Sequence, residues 1–306
     1  MPWILPAVGA FLILGAILGV WMFVVEPRRF RIWRVRLPRS ERRPPRTVAL
    51  RADRIPNLRL LHITDTHFGT RDEAKLDFIR RVAQETCDLV FLTGDLIDAP
   101  SGIEPCLEMV SRLNPRIGMY AVLGGHDHFR RRRTLHKYTS LLAPSPPSKS
   151  QRIANPTESL RQGLKRYGVE VMADENQRIR GLPGQPLTVV GLRDAFVFDC
   201  DYEKAWSGVG RNEATIVIAH SPDVLPEVVR RGSDLALFGH THGGQVRLPL
   251  IGAVVTRSYI NTARARGIFR EGETIFTINQ GMGAGIRSDF RLLCPPEVTL
   301  LRIEKL

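Results

Sequence analysis

Short apolar runs alternate with amphipathic stretches between residues 58 and 127, and each apolar run ends in acidic residues or histidine. The apolar runs are "LRLLHITDTHFG" (58–69), "DLVFLTGDLID" (88–98) and "GMYAVLGGHD" (118–127), and the first amphipathic stretch is "DEAKLDFIRRVAQETC" (72–87). Apolar runs of this length separated by helices predict parallel βαβ units. Their continuous apolar character indicates strands that are covered on both faces. This pattern restricts the chain to an α/β fold.

The second half of the chain contains more predicted strands and fewer helices. The strand-like runs lie at 169–174, 187–194, 214–223, 235–248, 274–283 and 297–303. Residues 130–157 interrupt the pattern with four prolines and many basic and polar residues. We therefore expect an irregular basic insertion there, with a helix resuming at "TESLRQGLKRYG" (157–168).

Carboxylates and imidazoles follow five of the apolar runs directly. These residues are Asp65, His67, Asp95, His126, His220, His240 and His242. Sites in α/β sheets form outside the carboxyl ends of the strands, so the side chains are expected to meet at one edge. A single polar residue after a strand can be a simple cap, but five in register are hard to explain that way.

The residue types indicate a metal centre. Imidazole and carboxylate ligands without thiolates suit Mn²⁺, Fe or Zn²⁺ better than Ca²⁺ or Mg²⁺. Two such ions can activate a water and hold the attacking and leaving oxygens of an in-line displacement. That arrangement needs a carboxylate that bridges both ions, and Asp95, at the end of a central strand, is the candidate.

Five short motifs occur in a characteristic order. "DTH" (65–67), "GDLID" (94–98), "GGHD" (124–127), "AH" (219–220) and "GHTH" (239–242) resemble the ordered signature of the calcineurin-like metallophosphoesterases. The resemblance implies a four-layer αββα sandwich with a dimetal site at the strand ends. The tail "GHTHGGQVRLP", the lead-in "VEPRRFRIWRVRLP" and the closing "FRLLCPPEVTLL" are similar to a bacterial branch of membrane-anchored or exported phosphoesterases.

The resemblance also implies roles for individual residues. The first metal would be held by Asp65, His67, Asp95 and His242, and the second by Asp95, His220 and His240. His126 would not be a ligand but would protonate the leaving oxygen or stabilise the transition state, and Asp127 would orient it. An imidazole suits this task because small local effects move its pKa across neutral pH.

One position departs from the pattern of the family. The family carries asparagine before this histidine, and its side-chain oxygen binds the second metal, whereas this chain has Gly125. We therefore expect two divalent ions, Mn, Fe or Zn, with the second site weakened. The departure affects the rate and the metal preference more than the class of reaction.

The N-terminal region predicts a membrane anchor. Residues 3–25 contain no charge, and as a helix they would span about 34 Å, enough for the hydrocarbon core. The basic n-region and small-residue cleavage site of a signal peptide are absent. We divide the chain into an anchor (1–26), a basic juxtamembrane segment with a lead-in strand (27–56) and a phosphoesterase domain (57–306).

Nearly all of the net charge of +13 lies in two short stretches. Nine arginines between Pro27 and Arg46 follow the anchor, which by the positive-inside rule keeps the domain on the cytoplasmic side of an inner or cytoplasmic membrane, close to anionic lipid. The second stretch is Arg130, Arg131, Arg132 and Arg133, which, with Arg291, we predict to contact an anionic substrate. A solvated charge run is the alternative for residues 130–133.

The expected function is a membrane-anchored, metal-dependent phosphoesterase. The anchor and the arginines favour a lipid-linked diester or diphosphate. The resemblance to the bacterial branch implies one such substrate, the UDP-2,3-diacylglucosamine precursor of lipid A. Two alternatives stay open: a catalytically weakened relative that binds anionic lipid, which Gly125 favours, and a membrane-tethered nuclease. The nearly neutral domain argues against long contact with nucleic acid. The oligomeric state is not indicated by the sequence.

Overall fold

A computed structural model describes residues 4–39, 54–131, 148, 150, 152–180, 182, 186–283 and 290–305. Its helices are α1 (Ile4–Val20), α2 (Glu73–Val82), α3 (Ile103–Ser111), α4 (Gly125–His128), α5 (Thr157–Arg166), α6 (Tyr202–Ala205) and α7 (Leu225–Arg230). Its strands are β1 (Arg31–Arg39), β2 (Leu58–Ile63), β3 (Leu89–Thr93), β4 (Gly118–Val122), β5 (Phe129–Arg131), β6 (Arg152–Ala154), β7 (Val169–Val171), β8 (Glu175–Ile179), β9 (Leu187–Gly191), β10 (Ala214–Ile218), β11 (Leu235–Phe238), β12 (Arg247–Leu248), β13 (Gly252–Ala253), β14 (Gly267–Glu271), β15 (Thr274–Ile278) and β16 (Glu297–Lys305).

Two six-stranded sheets form the centre of the fold. The strand order is β1-β16-β2-β3-β4-β7 in the first sheet and β14-β15-β11-β10-β9-β8 in the second. The strands β2, β3, β4 and β7 are parallel, as are β9, β10, β11 and β15. The predicted βαβ units are therefore confirmed, and the carboxyl ends of the central strands lie at one edge of each sheet.

Helices cover the outer face of each sheet. Apolar side chains of α2, α3 and α5 pack on the first sheet, and those of α6 and α7 pack on the second. Between the sheets, side chains such as Leu60, Phe91, Val189 and Ile216 form a third apolar layer. The four-layer αββα sandwich is thus confirmed, and burial of three apolar layers is its main source of stability.

The lead-in strand predicted within residues 27–56 belongs to the first sheet. Strand β1 pairs in parallel with β16, with Arg31 opposite Glu297. Strand β16 runs antiparallel to β2, with Thr299 opposite His62. The first residues of β1 and β16 therefore lie at the edge where β2 ends. The N-terminal helix enters the fold at this same edge.

The N-terminal helical segment continues to Arg28, and residues 6–28 are long and apolar enough to cross a membrane. Its last turn is fixed to the domain. The buried Glu26 carboxylate accepts hydrogen bonds from the backbone N–H of Cys294 (2.9 Å) and from Trp21 Nε1 (2.8 Å). The backbone N–H of Arg291 donates to Met22 (3.0 Å).

The basic insertion is regular at its two ends. Strand β5 pairs antiparallel with β6, so residues 129–131 and 152–154 form a ribbon rather than the irregular segment that we predicted. The helix that resumes at Thr157 is confirmed as α5. Arg132 and Arg133 lie outside the described residues.

Candidate metal centre

Sharp turns present the predicted ligands. Five of the six have positive φ values between 46° and 69°: Asp65, His67, Asp95, His240 and His242. Non-glycine residues rarely adopt this left-handed region, and such strain is concentrated at functional sites. The turns follow β2, β3 and β11 directly. The sequence therefore bends sharply as each strand ends, which directs these side chains across the edge of the sheets.

Glycines allow the loops to approach one another. A Cβ atom on Gly239 would lie 2.0 Å from Thr64 Oγ1 and 2.4 Å from Asp65 Oδ2. A Cβ atom on Gly124 would lie 2.3 Å from Asp95 Oδ1. Both positions therefore require glycine, because any side chain would push a ligand loop away.

His67, His242 and Asp65 form the first half of the site. His67 Nδ1 lies 2.7 Å from Asp98 Oδ1, and His242 Nδ1 lies 3.0 Å from the carbonyl oxygen of Gly283. Because each Nδ1 faces an acceptor, it carries the proton of the neutral ring, and the lone pair of each Nε2 is free to bind a metal. The two Nε2 atoms lie 3.2 Å apart, at 3.8 Å and 3.3 Å from Asp65 Oδ1.

His220, His240 and Asp95 repeat this arrangement. His220 Nδ1 lies 2.8 Å from the carbonyl oxygen of Thr93, and His240 Nε2 lies 3.0 Å from that of Arg257. The opposite nitrogens, His220 Nε2 and His240 Nδ1, lie 3.3 Å apart. His220 Nε2 is also 3.2 Å from Asp95 Oδ2.

The two halves meet at the aspartates. Asp95 Oδ2 lies 3.7 Å from His67 Nε2 in the first half as well as against His220 in the second. Asp65 Oδ1 is 4.0 Å from His220 Nε2. Either carboxylate is thus placed to contribute to both halves, which agrees with the bridging position predicted for Asp95.

The donor set fits divalent cations. Asp65 Oδ1 is buried without a hydrogen-bond partner among the described residues, although buried polar atoms are normally paired. Burial opposes ionisation of Asp65 and Asp95, yet the neighbouring histidines hold both carboxyl pKa values below their ordinary range. Inward-facing imidazole nitrogens and charged carboxylates without thiolate are ligands for Mn, Fe or Zn.

His126 lies beside this cluster without joining it. Its Nδ1 is 2.6 Å from Asp98 Oδ1, and its ring packs edge-on against His67, with centroids 4.8 Å apart. The side chain is 44% exposed. Burial opposes protonation, but Asp95 and Asp98 raise the pKa of His126 to about 9. The imidazole is therefore partly accessible, and its two acidic neighbours favour the protonated form.

Asp98, the last residue of the "GDLID" motif, orients His126, although no role was predicted for it. The prediction that Asp127 does so is wrong. Asp127 is fully buried, and its carboxylate accepts hydrogen bonds from the backbone N–H groups of Leu96, Ile97 and Gly124 at 2.8–2.9 Å. Asp127 therefore connects the loop that follows β3 with the loop that follows β4. The position of Asp98, three residues after a predicted ligand, was the feature of the sequence that could have indicated its role.

The prediction that Arg291 contacts the substrate is also wrong. Its side chain is fully buried. Its guanidinium donates to the carbonyl oxygens of Cys294 (3.0 Å), Gln280 (2.9 Å), Gly281 (3.2 Å) and Gly283 (2.6 Å). Since Gly283 also contacts His242, Arg291 supports the loop behind a predicted ligand. Arg130, in contrast, is exposed at the end of the site loop, in β5.

Gly125, at the position where the family carries asparagine, contacts the carboxylate of Asp194. Its backbone N–H donates to Asp194 Oδ2 (2.9 Å), a buried residue that follows β9. Asp194 contributes to the raised pKa of His220, after Asp95. Asp194 also follows a strand-like run, but no role was predicted for it. It places negative charge where the family carries its asparagine.

Known proteins resemble the chain along the region that contains this site. Residues 58–244 match the protein family described as calcineurin-like phosphoesterase, which is more than half of the 306 residues. The matched region includes all six predicted ligands and His126.

Two curated relatives resemble nearly the whole chain. UDP-2,3-diacylglucosamine pyrophosphatase LpxG of Chlamydia muridarum is 25% identical over 333 aligned residues, covering 95% of this chain and 98% of that protein. Phosphodiesterase YaeI of Escherichia coli is 26% identical over 291 residues, covering 92% of each. Among solved structures, TT1561 of Thermus thermophilus covers 74% of this chain and 91% of its own, with 12% identity and a TM-score of 0.44.

Proposed function

The chain belongs to the calcineurin-like phosphoesterases, and from this premise we propose that it hydrolyses a phosphodiester or diphosphate bond of a lipid-linked substrate at a membrane surface. As a member of the family it is a metal-dependent phosphoester hydrolase with a dinuclear site. The proposal adds which residues hold the metal ions, that the protein is attached to a membrane, and which class of substrate it hydrolyses. The observation that carries it is the set of four imidazoles whose inner nitrogens converge on two buried carboxylates.

In this proposal Asp65, His67, Asp95 and His242 hold one ion, and Asp95, His220 and His240 hold the other. Bound divalent ions would lower the pKa of a water and neutralise charge on the phosphoryl group. The protein contributes the orientation of its ligands, since each outer imidazole nitrogen is fixed by an oxygen. Such outer contacts restrict the tautomer and the ring position, so little reorganisation is needed.

His126 would deliver the proton to the leaving oxygen. Its Nδ1 is held by Asp98, which keeps the ring in place, and the side chain is partly exposed. Asp95 and Asp98 raise the pKa of the imidazole, which favours the protonated form that an acid requires. The proposed acid therefore depends on Asp98 rather than on Asp127.

The membrane part of the proposal rests on the N-terminal helix. The helical segment at 6–28 is followed by arginines, and its last turn is fixed on the edge where the ligand-bearing strand β2 ends. The site would then lie close to the headgroups. We propose that the helix crosses the inner or cytoplasmic membrane once and that the arginines keep the domain in the cytoplasm.

The substrate class follows from this placement and from one relative. LpxG, by its name, is a pyrophosphatase of UDP-2,3-diacylglucosamine, and its similarity extends over the N-terminal region as well as the domain. A diphosphate that joins a nucleotide to an acylated sugar would present its scissile bond at the headgroup level. We propose UDP-2,3-diacylglucosamine, or a lipid-linked phosphoester like it, as the substrate.

The test uses the full-length protein in detergent, because Glu26 is buried against the domain and truncation would expose its partners. Hydrolysis of bis(4-nitrophenyl) phosphate and of UDP-2,3-diacylglucosamine is measured with Mn²⁺, with Zn²⁺ and with chelator. Asp95→Asn should abolish metal-dependent turnover. Asp88→Asn is the matched control, because Asp88 is a buried aspartate at the opposite end of the same strand.

The outcomes separate the alternatives. Turnover that needs metal, is lost in Asp95→Asn and is kept in Asp88→Asn would support the hydrolase. Absence of turnover with metal still bound would favour the weakened relative that binds anionic lipid, the reading that Gly125 supports. Turnover of the aryl diester but not of the lipid would reject the proposed substrate and leave the reaction class intact.

A further inference from the structure

A short hairpin beside the metal centre exposes consecutive apolar residues. Strands β12 and β13 pair antiparallel and leave residues 249–251 as the connecting turn. Leu250 is fully exposed, Ile251 is 71% exposed and Val254 is 51% exposed. Single exposed apolar residues are common, but a cluster at one turn marks an interaction site.

The base of this hairpin is continuous with the ligand loop. The backbone N–H of Gln245 donates to the carbonyl oxygen of His242 (3.0 Å), and Arg247 Nη1 donates to that of Gly243 (3.0 Å). On the returning side, the carbonyl oxygen of Arg257 accepts from His240. Both histidines of the "GHTH" motif therefore contact residues that flank the hairpin, His240 through its ring and His242 through its backbone carbonyl oxygen.

Backbone contacts also connect the hairpin to the N-terminal helix. The N–H of Arg247 donates to Leu292 and the N–H of Leu292 donates to Gln245, both at 2.9 Å. One residue earlier, Arg291 donates to Met22 in the helix, and the rings of Phe23 and Phe290 lie 5.6 Å apart. Leu293, the next residue along the chain after Leu292, is 47% exposed. The apolar turn and the end of the helix are thus attached to the same segment.

The segment of chain that contains the hairpin carries charge of one sign, although Arg264 and Arg270 pair with Glu271 and Glu273 and Ser258 donates to Asp223. From residue 235 to residue 270 the chain contains no aspartate or glutamate, but it contains arginines at 247, 257, 264, 266 and 270. An exposed apolar turn between arginines matches a bilayer interface, where apolar side chains enter the acyl boundary and arginines meet anionic headgroups. A protein partner would not by itself account for the attachment of this turn to the membrane-spanning candidate.

We propose that the turn of residues 249–251 inserts into the same bilayer as the N-terminal helix and forms a second membrane contact. The helix alone fixes one point of the domain, and it would leave the domain free to tilt about that point. A second contact next to His240 and His242 would hold the metal centre against the headgroups. The inference rests on the proposed function only in its assumption that the helix spans a membrane.

Insertion can be measured directly, without catalysis. In full-length protein carrying Cys200→Ser, Leu250→Cys is labelled with an environment-sensitive fluorophore and reconstituted into vesicles of phosphatidylethanolamine and phosphatidylglycerol. The other native cysteines, 87, 106 and 294, are buried. The control label is placed by Ile117→Cys, which is 37% exposed and precedes β4, at the opposite edge of the sheet.

We expect lipids with a spin label in the upper acyl chain to quench the label at position 250 at least threefold more than the label at position 117. Equal quenching at both positions would overturn the inference and assign the apolar turn to contact with protein. Because catalysis is not measured, this failure is distinct from failure of the proposed hydrolase. Loss of vesicle binding by both labelled proteins would instead reject the anchor, and with it the inference.

A second measurement tests the consequence for catalysis. The double variant Leu250→Ser, Ile251→Ser should lower the ratio of vesicle-embedded to soluble substrate turnover about tenfold. Ile117→Ser should leave that ratio unchanged. An unchanged ratio in the double variant, with quenching at position 250 observed, would confine the contact to anchoring; an unchanged ratio without quenching would overturn it.

Discussion

One carboxylate oxygen of Asp98 contacts both a predicted metal ligand and the proposed acid: it lies 2.7 Å from His67 Nδ1 and 2.6 Å from His126 Nδ1. The two rings pack edge-on as a result. Burial would raise the pKa of Asp98, but the two imidazoles hold it well below its ordinary range. The charge of Asp98 therefore fixes the ligand and the acid together, so one substitution there should disturb both.

The role of His126 predicts a dependence on the leaving group. His126→Asn should lower kcat about a hundredfold for an alkyl phosphodiester, whose leaving oxygen needs a proton, and less than about tenfold for a 4-nitrophenyl ester. His128→Asn is the matched control, since it lies on the same short helix and packs against Phe198. Equal losses with both leaving groups would contradict an acid role and indicate a positional one.

Removal of the Asp98 charge should affect both neighbours. Asp98→Asn should weaken metal binding about tenfold, because the outer contact of a ligand histidine is altered. It should also lower turnover of the alkyl substrate more than that of the aryl substrate, as His126→Asn does. Metal titration and the two rate measurements test this. A change in rate with unchanged metal affinity would show that His67 does not depend on Asp98.

The asparagine that the family carries at position 125 can be introduced by substitution of Gly125. A Cβ atom on Gly125 would lie 3.4 Å from Val197 Cγ1 and 3.5 Å from Asp194 Oδ2, which are ordinary contacts, so a side chain fits. Gly125→Asn should add a ligand and tighten binding of the second ion about tenfold. Calorimetric titration with Mn²⁺ measures this, and Gly125→Ala is the control. Equal Mn²⁺ affinities in Gly125→Asn and Gly125→Ala would contradict the hypothesis that the second site lacks a ligand at position 125.

The ligand positions could be predicted because the information is local. Each of these residues follows an apolar run, and parallel strands carry their carboxyl ends to one edge, so Asp65 and His220 meet although 155 positions separate them. The four-layer order of helices and sheets was implied by the resemblance to the family and not by this alternation. No distant contact was needed to derive the α/β class or to select these residues as candidate ligands.

Other features depend on contacts that no local pattern encodes. The pairing of β1 with β16 joins the two ends of the chain. Arg291 looks like a free cation in sequence, but it is enclosed by carbonyl oxygens that become neighbours only in the fold. Asp127 and Asp98 are both acidic residues beside His126, and only the geometry of two loops decides which one contacts the ring.

The structural role of Arg291 predicts a loss of stability and not of substrate affinity. Arg291→Met removes the donors to Gln280, Gly281 and Gly283 and leaves buried carbonyl oxygens unpaired, which should cost about 3 kcal/mol. The free energy of unfolding in detergent would fall accordingly, while KM would stay near its original value at temperatures where the variant is folded. A raised KM with unchanged stability would restore the original substrate-binding prediction.

Glu213 should make the stability depend on pH without affecting the metal centre. It precedes β10 at the edge opposite His220, and its carboxylate accepts from Arg178 Nε (2.7 Å), from the Thr188 hydroxyl and from the Gly210 N–H (3.1 Å). These contacts, with the Arg178 bond the strongest, lower the pKa of Glu213 to about 2 from its ordinary value of 4.5.

A lowered carboxyl pKa stabilises the folded state above the ordinary value, and this stabilisation disappears as the pH falls toward the folded value. Glu213→Gln should therefore reduce the free energy of unfolding by about 2 kcal/mol at pH 7, and the difference should shrink between pH values of about 5 and about 2. Urea unfolding across this range measures it, with the exposed Glu170→Gln as the control. A difference that stays constant with pH would mean that the lost contacts, and not the charge, carry the effect.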